Sequence, residues 1–449
     1  MNFFSFFTKG NSRSIKAKKN ILASFLLKAI DGFVYLAVVP ITLGFLDPYT
    51  YGLWLSINSI LVWINSFDIG LSNGLRNCLT IAVAKNNFKE ARIYISTTYF
   101  LLSVLVLVLF LVFVITNHFL DWYTILNVEK KLIPNLNEVI LYSFIFFCLT
   151  FVLRIIGSIY TAMQSPAISS LFKALSYIFS LVLMIVYKYT MNNGSLMLVA
   201  LTFSVTPCIV YIVATIITFM KVYNDLSPSF FLIKIRGYVN KLLTVGVNFF
   251  IMQMCVLVLQ FTTNILISHF FGPTQVTIYN IANRYMFIGI LLMTILLSPV
   301  WSAVTDALAK NDWLWIRNAK KKVEKIVFLL GIFLLFLVTV SNYVYKLWVG
   351  TEIHIPMKMT VLNAIYVFLL IWSTSQSTFL NGMNILRVQL IMYIIQTVLY
   401  FPVVILLGEK FGASGLVMGL ILVNIPAALT NTIQLRKIVK KTATGIWLK

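Results

Sequence analysis

Long apolar segments recur along this chain with little between them, and that pattern decides what it can fold into. Each runs for about 20 residues, enough to cross roughly 30 Å of hydrocarbon at about 1.5 Å per helical residue. In the first half they fall near 21–45, 50–70, 94–116, 138–163, 168–189 and 196–219. In the second half they fall near 243–269, 276–302, 326–347, 359–380, 389–408 and 415–434, giving twelve in all. The runs are continuously apolar rather than alternating, which excludes a β-barrel and leaves helices to satisfy the backbone inside lipid. Only 11% of the 449 residues are charged while 60% are hydrophobic, too few charges to coat a soluble domain of this length. The expected fold class is all-α: a polytopic membrane protein with about 12 transmembrane helices.

A net charge of +22 raises the question of a nucleic-acid partner, so the position of the charges matters more than their sum. Lys and Arg gather at the N-terminus (Lys9, Arg13, Lys16, Lys18, Lys19) and after the second span (Arg76, Lys85, Lys89, Arg92). They gather again after the sixth (Lys221, Lys234, Arg236, Lys241), after the eighth (Lys310, Arg317, Lys320, Lys321, Lys322, Lys325) and in the C-terminal tail. The loops on the opposite side hold far fewer. This is the positive-inside distribution with both termini cytoplasmic, and it accounts for the basicity without nucleic acid.

The chain also matches itself. Sliding it by 225 positions lays Ala82–Arg92 (AVAKNNFKEAR) on Ala307–Arg317 (ALAKNDWLWIR), and the same register puts Phe45, Pro48 and Asn58 on Phe270, Pro273 and Asn283. Six spans separate the copies, an even number, so the two halves share one orientation and are related by an axis along the membrane normal. The expected organisation is two pseudo-symmetric six-helix lobes, residues 1–220 and 221–449, joined by a cytoplasmic linker at about 221–241 that contains Pro228.

Catalytic constellations are missing from the sequence. His118, His269 and His354 lie at or beyond span ends without the spacing of a zinc site or a triad, and no Walker-type phosphate loop occurs. The four cysteines, Cys78, Cys148, Cys208 and Cys255, are far apart and read as packing residues. The expectation is a non-enzyme with no catalytic residue and no metal ligand.

Polar side chains inside lipid are costly, and their distribution points to a site. The first span carries Lys28 and Asp31, the second Asn58, Asn65 and Asp68, the seventh Asn248, Gln253, Gln260 and Asn264, and the eighth Asn280, Asn283 and Arg284. Gln253, Gln260 and Asn264 fall at i, i+7 and i+11, one helical face, as do Asn58 and Asn65 at i, i+7. Spans one, two, seven and eight are therefore expected to line a wet cavity. The competing account is interhelical amide hydrogen bonding in a dry bundle. Three intramembrane cations remain, Lys28, Arg154 and Arg284. Lys28 has Asp31 at i+3, whereas a guanidinium in a cavity can grip phosphate oxygens bidentately. Gly415 and Gly419 form a G-x-x-x-G pair suited to close helix packing, and Pro40, Pro207, Pro299, Pro402 and Pro426 fall within spans.

At 68–77 the chain reads Asp-Ile-Gly-Leu-Ser-Asn-Gly-Leu-Arg-Asn, preceded by Tyr-Gly-Leu-Trp at 51–54. This run, with Asp68, Gly70, Asn73, Gly74, Arg76 and Asn77 as its marked positions, resembles the polysaccharide-transport family of O-antigen flippases (Wzx-type). That family belongs to the superfamily that also holds the multidrug and toxin extrusion (MATE) exporters. The resemblance implies a MATE-like fold and flipping of undecaprenyl-diphosphate-linked oligosaccharide units, for O-antigen or capsular polysaccharide, from the cytoplasmic to the periplasmic leaflet by alternating access. It also implies coupling to a proton or sodium gradient rather than a bound cofactor. Its expected partners are the lipid-linked oligosaccharide, membrane lipids, and the polymerase and chain-length proteins of the same pathway. In such proteins cavity cations are held to grip the diphosphate, which here makes Lys28, Arg154 and Arg284 the candidates. A peptidoglycan-precursor flippase and a cation-coupled multidrug exporter are the alternatives. The first family usually carries additional helices, and the second would favour more acidic cavity residues than Asp31 and Asp68.

Overall fold

The computed structural model describes residues 30, 32–34, 36–64, 71–163, 165–191, 194–234, 237–238, 247–309, 311–383 and 385–448. Among them all regular structure is helical. Nine helices are long and apolar enough to cross a membrane, and a tenth span is a pair bent by 40°. The remaining two of the twelve expected spans, near 21–45 and 50–70, run into residues outside the described set. Their described parts are α1 (Gly32–Leu43) and α2 (Pro48–Ile64).

The chain divides into two compact units, Met1–Phe250 and Ile251–Lys449. In the first, α2 is followed by α3 (Leu71–Ala84), α4 (Phe88–Phe119), a short outer helix α5 (Trp122–Leu126), α6 (Leu136–Leu153), α7 (Ile155–Ala162), α8 (Pro166–Thr190) and α9 (Leu196–Ile217). The stretch after the second span, read from sequence as a basic loop, is thus largely the helix α3, which packs on α4 and α7. The second unit holds α10 (Val247–Phe271), α11 (Pro273–Met286), α12 (Ile288–Ala309), α13 (Trp313–Val349), α14 (Met357–Gly382), α15 (Arg387–Phe411) and α16 (Ala413–Val439). There α16 packs against both α14 and α15, and α14 also packs on α11, α12 and α13.

Helix starts follow from local chemistry and repeat at the offset of 225. Pro48 and Pro273 each open a helix, where the missing proline N–H costs nothing. Asn86 and Asn311 both adopt φ 55°, the left-handed conformation that asparagine tolerates. The next residue caps the following helix in both copies: Asn87 Oδ1 accepts from the Glu90 N–H (3.1 Å) and Asp312 Oδ1 from the Trp315 N–H (2.9 Å). Two long helices, α4 and α13, therefore begin from the same turn and the same cap.

The membrane inverts the usual solvent logic. On α4, Leu107, Leu111, Ile115 and Phe119 are exposed while Ser96, Thr97 and Thr98 are buried. Buried hydroxyls mostly bond back to the carbonyl one turn earlier, as Thr98 Oγ1 does to Tyr94 O (2.8 Å). The segment after α9 continues as a π-helical turn, Thr218–Val222, and two 3-10 turns, then docks onto α4. Arg92 Nε donates to Ser227 O (2.6 Å), the Ser229 N–H to Ser96 Oγ (2.9 Å) and the Lys234 N–H to Thr97 Oγ1 (3.1 Å). The expected linker is thus held by the first unit through residue 234.

Candidate functional site

The polar residues singled out in the second unit come together. Asn264 on α10 is buried, and its Oδ1 accepts from Asn280 Nδ2 on α11 (2.8 Å). One turn further, Asn283 Nδ2 donates to Asn363 Oδ1 on α14 (3.0 Å), and Asn363 Nδ2 closes onto Met359 O (2.9 Å). These amides tie α10, α11 and α14 into one seam, with Asn264 buried and Asn280 and Asn283 half-buried. The energetic reason is that lipid offers no competing partner, so an amide finds another amide.

Both described intramembrane arginines sit at helix interruptions. Arg154 is the single residue between α6 and α7, with φ −61° and ψ −15°, and its side chain is exposed. It stands eight residues, or about 12 Å, before Ala162, the end of its span. Arg284 is in the last turn of α11, half-buried, three residues before Phe287, where the chain bends by 40° into α12. It lies eleven residues, about 17 Å, from Pro273, in the first half of the bent span Pro273–Leu297. At each break the C-terminus of one helix meets the N-terminus of the next, so dipole ends of opposite sign face the arginine's surroundings. Such interruptions are also where membrane transporters build ligand sites.

Other expected positions fare differently. Lys28, Asp31, Asn65, Asp68 and Gly70 lie outside the described residues. Asn73 and Asn77 are on α3 and Gln253 and Gln260 on α10, but their side chains are outside the described set. Gly74 is buried within α3, Arg76 is exposed on it, and Asn58 is half-buried on α2. No group of three or more metal-ligating side chains occurs among the described residues.

A second polar seam runs through α14, α15 and α16, and the sequence analysis did not single it out. Gln396 Nε2 donates to Val423 O (3.0 Å) and to Asn424 Oδ1 (3.3 Å), and Asn431 Nδ2 reaches Ser373 Oγ (3.3 Å). Gln376, Gln396 and Asn431 are at most 2% exposed. The signal was present: Gln389 with Gln396, and Asn424 with Asn431, are each spaced i, i+7, the criterion that picked out Asn58 and Asn65.

Apolar helices of spanning length, interrupted spans and amide seams make this a polytopic helical membrane protein with a MATE-like fold. Solved structures bear this out at the level of fold. A MATE family multidrug transporter in its inward-facing conformation superposes with a TM-score of 0.76, covering 94% of this chain and 100% of that one at 15% identity. An outward-facing MATE transporter gives 0.65 at 14% identity over 99% of this chain and 100% of that one. Residues 17–304 match the family model for polysaccharide biosynthesis protein, and the chain belongs to that family. It is 22% identical over 412 residues to a Salmonella typhi protein designated an O-antigen transporter, covering 89% of this chain and 91% of that protein. A Yersinia pseudotuberculosis O-antigen export protein is 25% identical over 409 residues, covering 88% and 90%.

Proposed function

We propose that the protein is a flippase of the bacterial inner membrane, with both termini cytoplasmic. It translocates undecaprenyl-diphosphate-linked oligosaccharide units to the periplasmic leaflet by alternating access. The observation that carries this reading is the relationship to O-antigen transporters along nearly the whole chain, 89% of it. Charge adds to it. In their spans Glu138 and Glu409 stand two residues from a helix end, whereas Arg154 and Arg284 lie eight and eleven residues in. That arrangement suits an anionic cargo such as a lipid diphosphate better than a cationic drug, although the solved MATE structures share the fold.

In this reading Arg154 and Arg284, with Lys28, hold diphosphate oxygens. Asp31, Asn58, Gln253 and Gln260 contact the sugars. Residues 1–220 and 221–449 act as the two lobes, a cation gradient resets them, and polymerase and chain-length proteins receive the delivered units. Deletion of the gene tests the proposal: surface polysaccharide should be lost while single lipid-linked units accumulate, and a plasmid copy should restore both. Intact polysaccharide combined with a new sensitivity to cationic drugs would move the assignment to multidrug export.

A further inference from the structure

The start of α13 carries more positive charge than the corresponding start of α4. The two helices begin from equivalent turns and caps. Yet α13 opens with Arg317, Lys320, Lys321, Lys322 and Lys325, where α4 has Lys89 and Arg92. At the offset of 225, Lys320, Lys321 and Lys322 occupy the places of Ile95, Ser96 and Thr97, which are buried, Ser96 and Thr97 beneath the linker. The end of α16 and its tail add Arg436, Lys437, Lys440 and Lys441.

The fold joins these two sets. Arg317 Nη2 donates to Val439 O (3.5 Å), and Lys441 Nζ lies 5.7 Å from the Trp313 ring centroid. The tail is folded back rather than loose: Gln434 Nε2 donates to Trp447 O (3.2 Å), and Lys437 Nζ stands 4.3 Å over the Trp447 ring. The start of α13 with its cap, and the end of α16 with its tail, thus hold nine cations and two carboxylates, Asp312 and Glu324, and Glu324 is taken by Lys320 at 2.5 Å. The apolar run of α13 begins at Ile326, so Lys325 marks the hydrocarbon edge and Arg317 stands about 12 Å beyond it. That span overlaps the headgroup layer, about 5–8 Å deep on each side.

We infer that the start of α13 and the folded-back tail form a docking surface for anionic phospholipid headgroups of the inner leaflet. Clusters of four to eight basic residues beside a membrane helix recruit anionic lipid, each gaining about 1 kcal/mol near the surface. The inference concerns the protein's lipid surroundings and holds whatever cargo is moved.

The test uses the full-length protein in mild detergent, equilibrated with equal amounts of phosphatidylglycerol and phosphatidylcholine, re-isolated, and its retained lipid quantified. Wild type should retain phosphatidylglycerol in excess. The monodisperse variant K321Q/K322Q/K440Q/K441Q should lose that excess by about tenfold, and K321R/K322R/K440R/K441R should keep it. The half-neutralised proteins K321Q/K322Q and K440Q/K441Q should each lose part, which keeps the test sound if the fourfold variant fails to fold. Equal retention by wild type and both half-neutralised proteins overturns the inference, as does loss in the arginine variant. Displacement of phosphatidylglycerol by an equimolar prenyl diphosphate would also overturn it, in favour of cargo docking.

Discussion

In the proposed mechanism Arg154 and Arg284 hold the diphosphate, because each is a guanidinium within a span and each stands at a helix interruption. A charge-assisted hydrogen bond to phosphate contributes about 1.5–3 kcal/mol. Arg154→Ala and Arg284→Ala should therefore each weaken translocation by at least about tenfold, read as surface polysaccharide in complemented cells, with membrane insertion unchanged. The lysine variants should fall between, since an ammonium keeps the charge but loses the bidentate fork. Normal polysaccharide in both alanine variants would end the phosphate-grip reading. Asn363 belongs to the packing side. Asn363→Ala removes the acceptor of Asn283 and should lower stability in detergent by about 0.6–1.7 kcal/mol, measured as a drop in the thermal unfolding midpoint. Both arginines were legible in the sequence because a charge in an apolar run stands out. Asn363 was not, since a lone amide gains its meaning only from the helix that it faces.

Among elements, the α15–α16 hairpin shows how small residues set geometry. Gly412 adopts φ 66° between the two helices, a conformation that side chains resist. Just beyond it, a Cβ on Gly415 would run into the Leu407 carbonyl, and one on Gly419 would meet Val404 Cγ2 at 2.6 Å. Gly415→Ala must push backbone apart whereas Gly419→Ala can displace a valine methyl, so the first should be the more destabilising. Thermal melts of the two purified variants give the order directly, and the reverse order would contradict this packing. The glycine pair was read correctly from its spacing alone. The seam of Gln396, Asn424 and Asn431 was not, although its i, i+7 period is written in the chain, because amides spaced this way stand out less than charges in an apolar run. The caps of α4 and α13 are a further shared device. Asn87→Ala and Asp312→Ala should each cost about 1 kcal/mol, detectable as similar shifts in unfolding midpoint.

For the molecule as a whole, the apolar runs and the repeat were enough to specify an all-helical, two-unit transporter. Periodicity with a 20-residue length leaves few other solutions in lipid. Less legible were the helical nature of 71–84 and the bend after Met286. A short helix rich in small and polar residues looks like a loop, and a break without proline or glycine leaves no mark in composition. The segment at 221–234 is attached to α4 through side-chain hydroxyls at Ser96 and Thr97 that look unremarkable in an apolar run. The most direct test of the flippase reading is transfer of a fluorescent prenyl-diphosphate-linked oligosaccharide across vesicles containing the purified protein, scored by accessibility to an external quencher. The account predicts transfer in vesicles with the wild-type chain, little with Arg154→Ala or Arg284→Ala, and none without protein. Equal accessibility in wild-type and protein-free vesicles under an imposed proton or sodium gradient would contradict it.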